Sequence, residues 1–481
     1  MSLTLLPYKI YFILNSIKTG CKNESFFKLL NQTHKLLPAQ STMNNTITKK
    51  TIRSNLSEKE MSTAFHLALV QKKLITEEDT ALIFYDVHFL KERIINLQQL
   101  FPSDTLHAVA IKANPLTAVL KNLNELGVGL EAASLPELYL AEATGFSPER
   151  IVFDSPAKTR KEIEYALTLG VYLNADSFDE LDRIAEILKT VKSISTIGIR
   201  INPQIGSGSI QSTSVAGSIS KFGIALNDNA EKLKAYYLKY EWLKSIHVHI
   251  GSQGCPVPMI IEGIRKVLDF AIDVNTHLKK QQAKNRIEIV DIGGGLPVSY
   301  HADKIPVSME AYHALLMEHC KELFTGEFRL ITEFGRHLHG NTGWVASRVE
   351  YVKKEKHYNI IMTHTGADLF LRECYNPKDW YHQISVVDKN GKLKDGTVKN
   401  KYIIAGPLCF AGDIIARDIV LPEVSEGDYI LIHDAGAYTL SMWSRYNSRQ
   451  IPKVIGYYSE PYHFEVLKDR ERKEDLFDFW S

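Results

Sequence analysis

No CxxC pair, no surplus of either charge and no apolar run of bilayer-spanning length marks this chain. Its five cysteines, Cys21, Cys255, Cys320, Cys374 and Cys409, are scattered without the spacing of a disulfide framework or a metal site. That usage suits a reducing cytoplasm, and no metal is expected. Fifty-seven basic residues stand against 56 acidic ones, so charge recommends neither nucleic acid nor a membrane surface as a partner. The N-terminal stretch "LTLLPYKIYFIL" (3–14) carries a proline and a lysine and falls short of the roughly 20 apolar residues a membrane helix needs.

Acidic residues are also nearly missing from the first 53 positions, where Glu24 stands alone. The basic residues there are almost all lysine, whereas transit peptides favour arginine. Residues 1–75 therefore read as an extension, loose or docked, with Met43 as a candidate true start and a targeting segment as the competing reading.

What the chain does have is regularity. "TALIFYDVHFLKERI" reads as a strand feeding a helix. Beyond it, short apolar strands alternate with helical patterns, as in βαβ units around a parallel sheet. The strands end in "AVAIKAN", "GLEAAS", "RIVFDS", "VYLNADS", "IGIRINP", "IHVHIGSQ", "IEIVDIGGG" and "RLITEFGR". Eight such units predict a (β/α)8 barrel over residues 76–340. After about residue 341 the helical alternation stops, and "GWVASRVEYVKKEKHYNIIMTHT" and "GDYILIHDAGAYTL" predict an all-β domain over 341–481. The strand near 81–86 is expected to complete that second sheet. "GSGSIQSTSVAGSIS" (206–220) reads as a surface connection or, from its place after the fifth strand, a mobile lid.

Lys112, Glu131, Asp154, Asp176, Arg200, His249, Gly293–Gly295 and Glu333 all fall at C-terminal strand ends, which in a barrel converge on one mouth. One polar residue there is ordinarily structural; a ring of them points to an active site. The three glycines of "DIGGGLP" let backbone N–H groups approach an anion, and Gly335 with Arg336 of "EFGR" can complete that nest. A lysine facing a phosphate site suggests pyridoxal 5'-phosphate, whose aldehyde forms a Schiff base with lysine. Glu333 against the pyridine nitrogen would keep the ring a strong electron sink.

"AIKAN", "HVHIGSQ", "DIGGGLP", "EFGR", "GPLCFAGD" and "GAYTLSMWSRYN" occur in the order found in the fold-type III pyridoxal-phosphate decarboxylases, and the chain resembles that family over residues 80–460. The resemblance implies an alanine-racemase-like barrel plus β domain and an amino-acid substrate. It makes Lys112 the Schiff-base lysine, stacks His249 on the cofactor and pairs Glu333 with the pyridine nitrogen. It places Ser252, Gly293, Gly294, Gly295, Gly335, Arg336 and Tyr438 around the phosphate. Cys409 resembles the cysteine that returns a proton after CO2 leaves. That cysteine and the tyrosine-bearing segment reach the partner subunit's site in this family, which implies a homodimer.

Three departures bear on the substrate. Decarboxylases of free diamino acids follow the cysteine with Asp or Glu, which holds the distal ammonium; here Phe410 follows. The lost charge-assisted bond is on the order of 2–5 kcal/mol, and a cation–π contact recovers only about 0.5–2 kcal/mol. Arg372 fits the family's carboxylate-binding arginine, but Tyr375 follows it by three residues rather than four. Phe334 replaces a proline, with little consequence expected for the cofactor. A distally acylated substrate needs no acid at position 410, so the expectation is a citryl-diamino acid such as N-citryl-ornithine of siderophore synthesis. His337, His339, Arg372 and Arg445 are its candidate carboxylate partners, alongside Arg336 and Tyr438 as substrate contacts. The alternatives are diaminopimelate decarboxylase, an amino-acid racemase (disfavoured by Glu333) and an inactive binding homologue.

Overall fold

The structure, a computed structural model, describes residues 53–301, 307–459 and 461–481. The expectations for residues 1–52, including the start at Met43 and a targeting role, lie outside the described residues.

The first strand, β1 (Ala81–Asp86), runs into a helix at Val87, where the Asp86 carboxylate caps the N–H of Phe89 at 2.9 Å. There follow β2 (Leu106–Ala110), β3 (Gly129–Ala132), β4 (Ile151–Asp154), β5 (Tyr172–Ala175), β6 (Ile197–Asn202), β7 (Ile224–Ala225), β8 (Leu243–His247), β9 (Ile289–Asp291) and β10 (Arg329–Thr332). They pair in parallel in the order β5-β4-β3-β2-β10-β9-β8-β6, and β5 pairs with β6 to close the cylinder. The two-residue β7 adds only to the edge of β6. All eight barrel strands are those expected from the sequence, each followed by its helix as βαβ geometry requires.

Beyond the barrel come β11 (Gly343–Lys354), β12 (Asn359–Thr363), β13 (Ile384–Val387), β14 (Lys399–Ala405), β15 (Ile414–Pro422), β16 (Tyr429–Ile432), β17 (Lys453–Ser459) and β18 (Tyr462–Lys468). They build a second sheet whose centre is β1, antiparallel to β11 and parallel to β17. The barrel is thus threaded between two parts of one sheet, which fixes the two layers to each other. Phe84 of β1 stacks on Trp344 of β11 at 4.1 Å, and the helix Glu58–His66 buries Met61, Ala64 and Phe65 in the same cluster.

The barrel interior divides into layers. Leu106, Ala108, Val152, Tyr172, Ile289 and Ile331 form an apolar plug separate from the larger cluster between strands and helices. Strand side chains alternate, so the next inward positions lie two residues on. Those are Ala110, Asp154, Asn174, Asp291 and Glu333, all buried and mostly polar. A polar layer above an apolar plug is what distinguishes the end of this barrel that does chemistry.

Candidate active site

Lys112 lies in a single turn, Ile111–Ala113, and the extended backbone at Asn114 before Pro115 stops that turn from becoming a helix. Its side chain is 41 % exposed toward the mouth, and Nζ stands 2.7 Å from both carboxylate oxygens of Glu131. The surrounding protein disfavours its charge, but Glu131, Tyr438 and Glu333 outweigh this and hold the ammonium above its ordinary value. The N–H of Tyr438, from the loop after β16, donates to the Ala113 carbonyl at 2.9 Å. Tyr438 takes a left-handed φ of 57°, costly for a residue with a Cβ, and so the β domain pins the lysine turn at some expense in backbone strain.

Across the mouth, the half-buried His249 accepts at Nδ1 from the Gly294 N–H at 3.2 Å. Burial, with the nearby Arg200 guanidinium, lowers its pKa to about 3, so the ring is neutral and carries its hydrogen on Nε2. Glycine is required at position 294: a Cβ there would sit 2.3 Å from the Glu333 carbonyl oxygen. Gly295, at φ 98°, has the Gly251 carbonyl equally near. The loops after β9 and β10 therefore touch backbone to backbone, and the Glu333 N–H donates to the Gly293 carbonyl at 2.8 Å.

Arg336 binds Ser252 Oγ through Nε at 3.0 Å and the Tyr300 hydroxyl at 2.7 Å, and its guanidinium lies 4.4 Å over the Tyr438 ring. Arg372, in the short helix Leu371–Tyr375, lies 4.0 Å over Trp380 and 5.8 Å from Tyr438. Among the described residues, neither guanidinium has a carboxylate within ion-pair distance. Two unneutralised cations on shared aromatic faces make an anion receptor.

Beneath the mouth the charges alternate. Arg200 contacts Asp154 at 3.2 Å; Asp154 and Glu333 each stand 3.4 Å from one nitrogen of His247. Burial opposes the ionisation of Glu333, but His247 more than compensates and holds the carboxyl below its ordinary value. One buried oxygen of Glu333, Oε1, has no hydrogen-bond partner. An orphaned anionic oxygen at this place fits a protonated pyridine nitrogen. Asp154, His247 and Glu333 could also converge on a metal ion, but Arg200 and the imidazole already balance their charge.

The mouth thus brings together Lys112, His249, Ser252, Gly293–Gly295, Glu333, Gly335, Arg336, Arg372 and Tyr438. It does not gather Cys409, Phe410 or Tyr375. Cys409 is exposed, with its N–H on Asn447 Oδ1 at 2.7 Å, and Phe410 stacks on the exposed Tyr375 at 5.5 Å. Three proposed carboxylate partners are corrected. Arg445 is neutralised by Glu471 at 2.8 Å and lies over Phe479, and His339 is fully buried against the Tyr85 hydroxyl; for His337, burial and the neighbouring Arg93 disfavour the charge that would hold a carboxylate. The 206–220 loop is anchored rather than loose: Ser209 N–H reaches the Gly254 carbonyl at 2.9 Å, and Ile210 is buried with Val298, Tyr300 and Trp380. His247, Asp291, Tyr300 and Trp380 escaped the sequence reading. His247 was recoverable, because it stands one inward position below His249.

The family described as pyridoxal-dependent decarboxylase, pyridoxal binding domain, matches residues 88–340. Diaminopimelate decarboxylase of Archaeoglobus fulgidus is 32% identical over 371 residues, covering 76% of this chain and 85% of that one. The Aquifex aeolicus diaminopimelate decarboxylase is 33% identical over 410 residues, covering 83% of this chain and 91% of its own. The crystal structure of Helicobacter pylori diaminopimelate decarboxylase complexed with L-lysine superposes with a TM-score of 0.74 at 29% identity, over 85% of this chain and 99% of that one.

Proposed function

Because this chain belongs to the pyridoxal-dependent decarboxylases, and so is a pyridoxal-phosphate carboxy-lyase of an amino acid, we propose that its substrate is diaminopimelate. Arg372, half-buried on Trp380 and without a carboxylate partner among the described residues, suits a second substrate carboxylate, which favours diaminopimelate over lysine and ornithine; the likeness to diaminopimelate decarboxylases carries the choice over a citryl compound. The names of the relatives agree with this reading and weigh against the citryl-diamino acid expected from Phe410.

When bound, pyridoxal phosphate supplies an aldehyde for a lysine amine and an electron sink for the substrate's α-carbon. Lys112 Nζ is the amine. Ser252, Gly295, Gly335, Arg336 and Tyr438 would hold the phosphate, by N–H groups, hydroxyls and a guanidinium, while Gly293 and Gly294, whose N–H groups go to Asp291 Oδ1 and His249 Nδ1, would shape the turn that lets it approach. Glu333, whose Oε1 is buried without a partner, would hold the pyridine N–H, and the neutral imidazole of His249 would pack on the cofactor. Arg372 would hold the distal carboxylate, with Arg336 of the same chain bordering the substrate and Tyr375 and Phe410 reaching it, with Cys409, from a second copy. Cys409 Sγ returns a proton to the α-carbon once CO2 has left.

Cys409 faces outward from its own chain, so we place it in the mouth of a second copy, in a homodimer with shared sites. Mixing Lys112→Ala with Cys409→Ala tests this: one intact site per mixed dimer restores up to about a quarter of parental activity on the binomial count. No restoration rejects shared sites.

Phe410 favours one second reading. Its stack on Tyr375 offers an apolar slab where a free ammonium wants an acid, which suits a distally acylated substrate such as N-citryl-ornithine. CO2 release from diaminopimelate, lysine, ornithine and N-citryl-ornithine separates the two. Turnover of the citryl compound without turnover of diaminopimelate overturns the first.

A further inference from the structure

We propose that His247 is a positioning residue, an imidazolium held between Asp154 and Glu333 that keeps the Glu333 carboxylate charged and fixed in place. The proposal rests on the cofactor assignment and not on the identity of the substrate.

The geometry gives the protonation state. His247 is wholly buried, with Nδ1 3.4 Å from Asp154 Oδ2 and Nε2 3.4 Å from Glu333 Oε2. A neutral imidazole has one N–H and one lone pair, so between two carboxylates its lone pair would face an anion. Only the doubly protonated ring turns a positive edge to both anions; the two 3.4 Å contacts are ion pairs, and neither nitrogen makes a hydrogen bond. The remaining groups around it agree. Arg200 of β6 neutralises Asp154 from its far side, and Asp291 of β9 accepts the Gly293 N–H at 2.9 Å. Burial and the neighbouring Glu333 push the Asp291 carboxyl well above its ordinary range. Above, His249 is neutral. Burial opposes the charge on His247, but Glu333, Asp154 and Asp291 outweigh it and raise its pKa to about 9.

The consequence falls on Glu333. Without the imidazolium, its carboxylate would lie buried beside Asp154 with Lys112 as the remaining cation acting on it, and such a pair relieves its repulsion by taking up a proton. A protonated Glu333 could not hold a pyridine nitrogen in its cationic form. With Oε2 engaged by His247, Oε1 is the oxygen left for that nitrogen. His247 touches neither substrate nor cofactor in this scheme. It acts through Glu333 alone.

The test uses the loaded enzyme and its His247→Gln and Asp154→Asn variants. Glutamine keeps one donor but no charge; asparagine leaves the imidazole with one carboxylate. Losing the cation beside a buried carboxylate corresponds to roughly a ten- to hundredfold fall in kcat, with KM little changed. The independent readout is the 15N resonance of ring-labelled pyridoxal phosphate. In His247→Gln the ring nitrogen should lose its proton at lower pH than in the parent. In Asp154→Asn it should shift the same way by less. An unchanged 15N titration in a folded, loaded His247→Gln overturns the proposal. Should that variant not fold, an unchanged titration in Asp154→Asn does so. A parent protein that takes up no pyridoxal phosphate overturns both this inference and the cofactor assignment.

Discussion

Both carboxylate oxygens of Glu131 stand 2.7 Å from Nζ of Lys112, so the amine proposed to take up the aldehyde is stored as an ammonium. Attack requires the neutral amine, and the ion pair raises the pH at which it becomes available. In Glu131→Gln the pH profile of covalent pyridoxal-phosphate uptake, followed by its visible absorbance, should move to lower pH. A profile identical to the parent's would mean that Glu131 does not control the lysine's proton.

Under the proposed function, position 410 borders the far end of the substrate. Restoring an acid with Phe410→Glu should lower KM for a substrate with a free distal ammonium by roughly tenfold, the size of one charge-assisted hydrogen bond. On a distally acylated substrate the same change should raise KM. Steady-state kinetics on both substrates with both proteins checks this. An equal effect on the two would show that residue 410 does not face the distal group.

The barrel strands and the mouth were legible because strand-end polarity is local information. "AIKAN", "DIGGGLP" and "EFGR" each break an apolar run at the point where the chain leaves the barrel. His247 and Asp291 were harder to see. Each lies inside the run, one inward step before the break, and its meaning depends on seven neighbouring strands. Arg445 misled for the opposite reason: a lone arginine near a conserved-looking motif gives no sign that Glu471, 26 residues on, already neutralises it. Trp380 depends on the path of an irregular loop, which no periodicity encodes.

The contact between the β9 and β10 loops makes Gly294 intolerant of any side chain. Its Cβ would lie 2.3 Å from the Glu333 carbonyl oxygen and 2.9 Å from the carbonyl carbon, both backbone atoms of the strand end that carries Glu333. Gly294→Ala must push that strand end away, at about 1–3 kcal/mol for overpacking of this kind. The variant should lose stability in urea and bind pyridoxal phosphate more weakly. Parental affinity in a folded Gly294→Ala would separate the glycine turn from the phosphate site.

Arg445 is predicted to serve the fold and not the substrate. With Glu471 it forms a largely enclosed ion pair, and Glu471 also accepts the Ile451 N–H at 3.1 Å. Arg445→Met leaves that carboxylate without its cation, a loss of about 3–5 kcal/mol for a buried pair. Urea unfolding should report the loss, while KM for carboxylate-bearing substrates stays at the parental value. A raised KM with unchanged stability would return Arg445 to the substrate site.

The charge ladder also sets how stability depends on pH. Burial opposes the charge on His247, yet Glu333 and Asp154 raise its pKa from 6.5 to about 9 in the folded chain. A group protonated more tightly when folded stabilises fully below its unfolded value and loses that stabilisation as pH rises through the folded one. His247 should therefore stabilise the protein below pH 6.5 and cease to do so as pH passes about 9. Other groups also titrate at alkaline pH, so the parent's alkaline decline alone does not isolate His247. The difference between parent and His247→Gln does. Their urea midpoints should lie furthest apart near pH 6 and converge toward pH 10, since the variant has no proton to lose at that position. A constant difference across the range would mean that residue 247 contributes packing and not charge.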